Sequence, residues 1–262
     1  MVVKTVNKKQ IINGLRLGGI CEGDIVFMHS ALSSIGNVEG GADTVIDAFL
    51  EVLGPTGTLS ATAMSGDSPF DAATSKCSIG IISETLRLRD GAVRSLRPVH
   101  SITAIGAKAA ELCAGHEDAE TNCGDGTPYT KLRDMGAKIV LVGVDMNRNT
   151  TLHTLEDLMD APYLVERVVD MPTYVKDYIG KKMILKKFPP GHRDFLRFTP
   201  VLREKGALTE TKIGSAVVKI IDVKKMFEVG LDVLGDDINF FLCDNENCPD
   251  CNKWVFGGKA DV

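Results

Sequence analysis

Residues 138–144 read KIVLVGV, and residues 147–157 read NRNTTLHTLED. The first is a nearly continuous apolar run, the pattern of a strand buried on both faces of a sheet. In the second, Asn149 or Thr150 offers a side-chain oxygen to cap a helix start, and Glu156 and Asp157 follow inside the helix. On that helix His153 and Glu156 stand at i and i+3 and share one face. Such a pair is often only a surface ion pair. Here it comes with Asn149, Thr150 and Thr151 at the carboxyl end of a buried strand, where open α/β sheets place their ligands. That setting points to a general base, His153, with Glu156 as its orienting carboxylate.

Upstream, short apolar runs again alternate with helical periods. Residues 5–17 read as an amphipathic helix ended by Gly18 and Gly19. Residues 24–30, DIVFMHS, read as a strand that runs into a polar turn. In residues 31–54, ALSSIGNVEGGADTVIDAFLEVLG, the second half is a helix stopped by Gly54 and Pro55. The first half is a loop of small residues, Ser33, Ser34, Gly36, Gly40 and Gly41. Small residues before a helix start let backbone N–H groups approach an anion, although an ordinary connecting loop has the same composition. Strands are expected at 57–63 and 102–105, and helices at 79–88, 107–114 and in the segment GDGTPYTKLRDM. His100 and Ser101 make a second polar cluster just before a strand.

Downstream the pattern changes. Residues 166–175, 182–187 and 212–221 read as strands, with helices at 194–206 and 222–234. A second half richer in antiparallel pairing is expected beside the α/β first half.

The tail reads FLCDNENCPDCNKW, with Cys243, Cys248 and Cys251 spaced C-x4-C-x2-C. The C-x2-C step is that of a zinc knuckle, and three thiols are one ligand short of a closed structural site. His192 or a solvent molecule could complete it, and a reduced, exposed tail is the alternative.

The chain has 262 residues, 44% hydrophobic and 25% charged, the balance of an ordinary globular protein. No apolar run approaches the length that spans a bilayer, and the first ten residues lack a signal-peptide core. A cytoplasmic protein with no membrane partner is expected. A net charge of -5, without a basic run interleaved with aromatics, argues against nucleic acid. Seven cysteines, an odd number, suggest reduced thiols rather than a disulfide framework.

Five stretches in order carry a resemblance. They are HSALSSIGNVEGGADTVIDAFLEVLGPTGTL, the helix GIISETLR after Phe70 and Asp71, RSLRPVHSITAIG, GDGTPYTKL, and VLVGVDMNRNTTLHTLED. Together they resemble the aminoglycoside 3-N-acetyltransferases, from about Met28 to the tail, and GHRDF with the Cys-rich end resembles one branch of that family. The resemblance implies a single domain over 1–262, a three-layer α/β/α fold around a mixed sheet, with 243–251 as a Cys-rich segment within it. It implies acetyl-CoA as donor and a small-molecule amine as acceptor, the 3-amino group of a 2-deoxystreptamine aminoglycoside foremost. His29, Ser30, Leu32, Ser33, Ser34, Ile35, Gly36 and Val38 fall on the stretch that lines the family's coenzyme A pocket. His153 and Glu156 fall on its acid/base pair, and Ser101 and Thr151 on polar positions near the acetyl group. Arg97 before Pro98, Ala31 in place of a Ser, and the lack of extra acidic segments depart from the family pattern. These departures bear on the acceptor rather than on the chemistry.

In the mechanism so implied, His153 takes a proton from the ammonium and the freed amine attacks the thioester directly. Ser101, Thr151 or a backbone N–H stabilises the oxyanion. A polycationic sugar needs carboxylates, for which Asp67, Asp71, Asp125, Asp145 and Asp157 are candidates. Two other readings stand beside this one. The first is an acetyltransferase for a different amine. The second is a zinc-dependent hydrolase or zinc-stabilised binding module built on His29, His100, His153 and the tail thiols. A structural zinc at Cys243, Cys248 and Cys251 is compatible with the enzyme readings, as is a monomer or a homodimer.

Overall fold

Most apolar periods form the elements expected of them, with boundaries set by local chemistry. The structure is a computed structural model and describes residues 5–170, 173–174, 182–187 and 192–252. The first half carries β1 (Thr5–Val6), α1 (Lys8–Leu17), β2 (Ile25–Ser30), α2 (Leu32–Ile35), β3 (Asn37–Val38), α3 (Gly41–Leu53) and β4 (Thr58–Thr62). There follow α4 (Ile81–Arg87), β5 (Val93–Arg94), β6 (Ile102–Gly106), α5 (Ala109–Cys113), α6 (Pro128–Asp134), β7 (Lys138–Val142) and α7 (Leu152–Leu158). The second half adds β8 (Val165–Asp170), β9 (Lys182–Lys187), α8 (Phe198–Glu204), β10 (Leu208–Ile213), β11 (Ala216–Asp222) and α9 (Val223–Asp236). The first helix begins later than its apolar period suggests because Asn7 and Gln10 form a reciprocal capping box that fixes its start.

Seven strands make the main sheet, in the order β10-β11-β7-β2-β4-β6-β5. The central three, β7, β2 and β4, are parallel. Alternate residues along them face opposite layers. Phe27, Ile139 and Leu141 pack with side chains of α5 to α9. Val26, Met28, Val140 and Val142 pack with α1, α3 and α4. Hence the strands are apolar on both faces, and the architecture is three layers, α/β/α.

Antiparallel pairing is not confined to the second half. Strands β10 and β11 are antiparallel on one side of the parallel centre, and β6 and β5 on the other. The run expected as one strand at 212–221 is a hairpin, because Gly214 takes φ +59° and turns the chain between β10 and β11. The helix expected over 194–206 opens with a tighter 3₁₀ turn, Phe195–Arg197, before α8. The strand expected over 166–175 is present as β8, and residues 171–172 and 175 lie outside the described residues. Among the described residues no helix is long and apolar enough to cross a membrane.

Candidate active site

The carboxyl ends of β7, β2 and β4 lie along one edge of the sheet, as their parallel registers require. Strand β6 is antiparallel, with Ile102 opposite Thr62, so its beginning rather than its end meets that edge. This delivers His100, with a left-handed φ of 61°, beside the end of β4. A cleft of about 550 Å³ opens there, lined by His29 and Ser30 from β2, Thr62 and Met64 after β4, His100, and Asn147, Arg148, Thr150 and His153 after β7.

Helix α7 aims the expected pair. His153 Nδ1 lies 2.7 Å from Glu156 Oε2, and the Glu156 side chain is fully buried. The other carboxylate oxygen accepts a 2.6 Å hydrogen bond from Arg193 Nε, and that guanidinium lies 4.8 Å over the Tyr163 ring. Burial pushes the Glu156 carboxyl up, but the His153 hydrogen bond and the charges of His153 and Arg193 outweigh it and hold the group below the usual carboxylate range. An ionised Glu156 can only accept, so His153 Nδ1–H is the donor of this bond. Phe195 meets the His153 ring edge-on at 5.2 Å, and the His100 ring lies 5.9 Å away. Burial lowers His29 and His100 to about 3, so both are neutral near pH 7.

The expected cap differs in detail. Asn149 Oδ1 accepts from Thr151 N–H at 3.2 Å, one residue before the helix, and Thr151 caps it without a side-chain bond. Thr150 faces the cleft, but neither Thr151 nor Ser101 is among the residues that line it. Both are buried. The Ser101 hydroxyl donates to Ala63 C=O at 2.6 Å and accepts from Arg94.

A second cavity, about 480 Å³, is lined by Leu32, Ser33, Gly36, Asn37, Val38, Gly41 and Ile81. Of the eight residues expected at a coenzyme pocket, Leu32, Ser33, Gly36 and Val38 line this cavity, and His29 and Ser30 line the cleft. Ile35 is buried in the core, and the Ser34 hydroxyl donates to Ala31 C=O at 2.6 Å. These two hold the loop in shape. The loop opens with a short helix, α2, too brief to show a period, and runs on through β3 to Gly40 at the start of α3.

The carboxylates expected to receive a cationic sugar do not line the cleft. Asp67 and Asp125 are exposed. Asp71 accepts from the N–H groups of Ala73 and Thr74 in its own turn. Asp157 is buried near Arg97 and against Gly124. Asp145 pairs with Lys219 at 2.8 Å. Among the described residues, the charged side chain on the cleft wall is Arg148.

The tail cysteines close into a group. One ligand atom each from His192, Cys243, Cys248 and Cys251 lie within 4.8 Å of one another. Cys251 Sγ is 3.9 Å from His192 Nδ1, close to the ligand–ligand separation of about 3.6 Å that a tetrahedral zinc with one sulfur and one nitrogen ligand sets. It is the one group of potential metal ligands found among the described residues, and it includes none of His29, His100 and His153.

The sequence model of the family described as Aminoglycoside 3-N-acetyltransferase matches residues 27–235. Aminoglycoside N(3)-acetyltransferase VII of Streptomyces paromomycinus is 33% identical over 180 residues, 60% of this chain; the chain spans 62% of that relative's length. A crystal structure of aminoglycoside acetyltransferase AAC(3)-IVa, a His-to-Ala mutant in complex with a gentamicin, superposes with a TM-score of 0.86 at 26% identity, covering 96% of this chain and 97% of that one. The structure of AAC-IIIb, binary with CoASH, gives a TM-score of 0.80 at 25% identity, covering 89% and 97%.

Proposed function

The chain belongs to the aminoglycoside 3-N-acetyltransferase family, and from that premise we propose that it moves an acetyl group from acetyl-CoA to an amine, foremost the 3-amino group of a 2-deoxystreptamine aminoglycoside. The observation that carries this is the His153–Glu156–Arg193 chain, which holds His153 on the wall of the cleft from behind. Support for the donor comes from the relative seen with CoASH and from the cavity on α2. There Leu32, Ser33, Gly36 and Val38 hold the coenzyme, with His29 and Ser30 at the junction with the cleft and Ser34 and Ile35 keeping α2 folded. Support for the acceptor comes from the relative seen with a gentamicin. Acetyl-CoA as donor places the reaction in the cytoplasm, within a single domain that includes the 243–251 segment.

An ammonium group has no lone pair and cannot attack. His153 Nε2 takes its proton, and Glu156 offsets the charge that forms on the imidazole. The amine nitrogen attacks the acetyl carbonyl, a C–N bond forms and the nitrogen sheds a second proton; as the C–S bond breaks, the departing thiolate takes up one of the two protons to leave as the thiol, and the other goes to solvent. The Ser101 hydroxyl is committed to Ala63 C=O and the Thr151 side chain is buried. The oxyanion is therefore assigned to backbone N–H groups, with Ser101 and Thr151 supporting the wall.

One observation favours a second acceptor class. The described cleft wall presents Arg148 and no carboxylate, the reverse of what a polycation selects. An amine bearing an anionic group fits that wall better. Thiol release from acetyl-CoA across a panel of acceptors separates the two. Release with an aminoglycoside, lost when its 3-amino group is blocked, supports the family acceptor. Release only with anionic amines keeps the chemistry and changes the acceptor, and no release with any amine overturns both.

The His192, Cys243, Cys248 and Cys251 group fits a closed structural zinc of the three-Cys, one-His type. One equivalent of zinc in the purified protein, lost in Cys248→Ser, is the expected result; zinc retained in that variant contradicts it. Zinc held instead by His153 would favour the hydrolase reading.

A further inference from the structure

The cysteine group and the His153–Glu156 pair meet in four consecutive residues, 192–195. His192 supplies a ring nitrogen to the group. The next residue, Arg193, donates to Glu156. Asp194 N–H donates to Phe241 C=O at 2.9 Å. Phe195 packs edge-on against His153 at 5.2 Å and against Phe241 at 5.0 Å. One side of this bar touches the acid/base pair, and the other is held by the tail.

The hold is local and specific. Residues 192–194 belong to no helix or strand. Besides the Arg193 side-chain bonds to Glu156 and to His192 C=O, their contacts include His192 N–H to Asp250 Oδ2 at 3.0 Å, Cys251 Sγ to His192 C=O at 3.5 Å, and the Phe241 bond. Tyr163, on which the Arg193 guanidinium lies, packs in one small apolar cluster with Leu242, Cys243, Cys248 and Cys251. Arg193 is thus set between Glu156 and the tail's own cluster.

Position matters here because Glu156 is fully buried. A buried carboxylate keeps its charge only with well-placed partners. An arginine has several rotatable bonds, and its bond to Glu156 is strong only if something else has already fixed the chain that carries it. We propose that a metal ion bound by His192, Cys243, Cys248 and Cys251 positions the acid/base pair: it fixes residue 192, thereby Arg193 on Glu156, and thereby the Glu156–His153 bond. Arg193 is a positioning residue, and the metal centre acts through it. The inference rests on the zinc reading above.

The test uses the full chain as purified, the same chain after chelation under reducing conditions, and the chain reloaded with zinc. Metal content is measured beside kcat, KM and the low-field proton signal of His153 Nδ1–H, assigned by its absence in His153→Ala. Stripping the metal should remove the signal and lower kcat about 10–100-fold, the usual cost of losing a group that orients a reactive side chain, with KM for acetyl-CoA little changed. Reloading should restore both. Arg193→Leu should keep the zinc and show the same two losses without rescue by zinc, and Arg193→Lys should recover part of kcat. If stripping unfolds the chain, Arg193→Leu still decides. Wild-type signal and kcat in Arg193→Leu, or in folded metal-free protein, would overturn the inference and leave the zinc reading intact. A chain that takes up no zinc fails at the zinc reading, and the inference falls with it.

Discussion

At the scale of single residues, the proposed reaction depends on one imidazole held by one buried carboxylate. Replacing His153 with Ala should lower kcat by about 10²–10⁴, the usual range for a lost acid/base group, in a thiol-release assay. Replacing Glu156 with Ala does two things. It frees the imidazole, and it leaves the Arg193 guanidinium buried without its carboxylate. Losing one member of a buried pair costs about 3–5 kcal/mol, so Glu156→Ala should show a clearly lowered midpoint in chemical denaturation as well as low turnover. A midpoint equal to wild type would contradict the buried pairing. His153 and Glu156 were legible because i and i+3 share a helix face. Arg193 stands 37 residues from Glu156, and no local period joins them. His100 was visible only as a polar residue before a strand. Its place on the cleft follows from the direction of β6. Composition shows charge but not which way a loop faces, which is why the expected carboxylates lie off the cleft.

At the scale of elements, α2 is the sensitive joint. Its Ser34 C=O accepts from Ser215 Oγ at 2.6 Å, and Ile35 C=O accepts from Ser215 N–H at 3.0 Å, so the β10–β11 turn buttresses the helix on which the proposed coenzyme cavity is built. On its other side Gly143, just past β7, takes φ +63°, and a Cβ there would land on the Ser34 hydroxyl. Gly143→Ala therefore carries a left-handed backbone cost of about 1–2 kcal/mol plus that overlap. It should lower Tm and raise KM for acetyl-CoA more than KM for the amine. An unchanged Tm and KM would contradict this packing. The long strands and helices were legible from their periods. The four residues of α2 were not, since one turn shows no period. The β10–β11 hairpin was marked by Gly214-Ser215, a two-residue turn signal that a reading of 212–221 as one strand passes over.

At the scale of the molecule, three layers bury histidines on and around the sheet. Burial lowers His29, His100 and His116 to about 3. His116 is held between Ser95 Oγ and Asn122 C=O, each at 2.9 Å. In the unfolded chain each takes a proton near pH 6.5, whereas the folded chain resists until about pH 3. Stability therefore falls as pH drops below about 6.5, by up to about 1.4 kcal/mol per pH unit for each group. Scanning calorimetry should show Tm falling steadily from pH 7 to pH 5, and a constant Tm across that window would contradict the burial of these rings. The α/β class was legible from strands apolar on both faces, and the three-layer arrangement came with the family resemblance. The antiparallel β6 was not legible, because strand direction is decided by the connection and not by the strand's own residues.

The most direct test of the account is the pH dependence of kcat for acetyl transfer, with the best acceptor of the panel, in wild type and in His153→Ala. The account predicts that wild-type turnover is sustained near pH 7, where the acceptor amine is still protonated, and that His153→Ala is slow there and recovers only at high pH, where the free amine is abundant. Wild-type turnover and the same pH profile in His153→Ala would contradict a general base at residue 153.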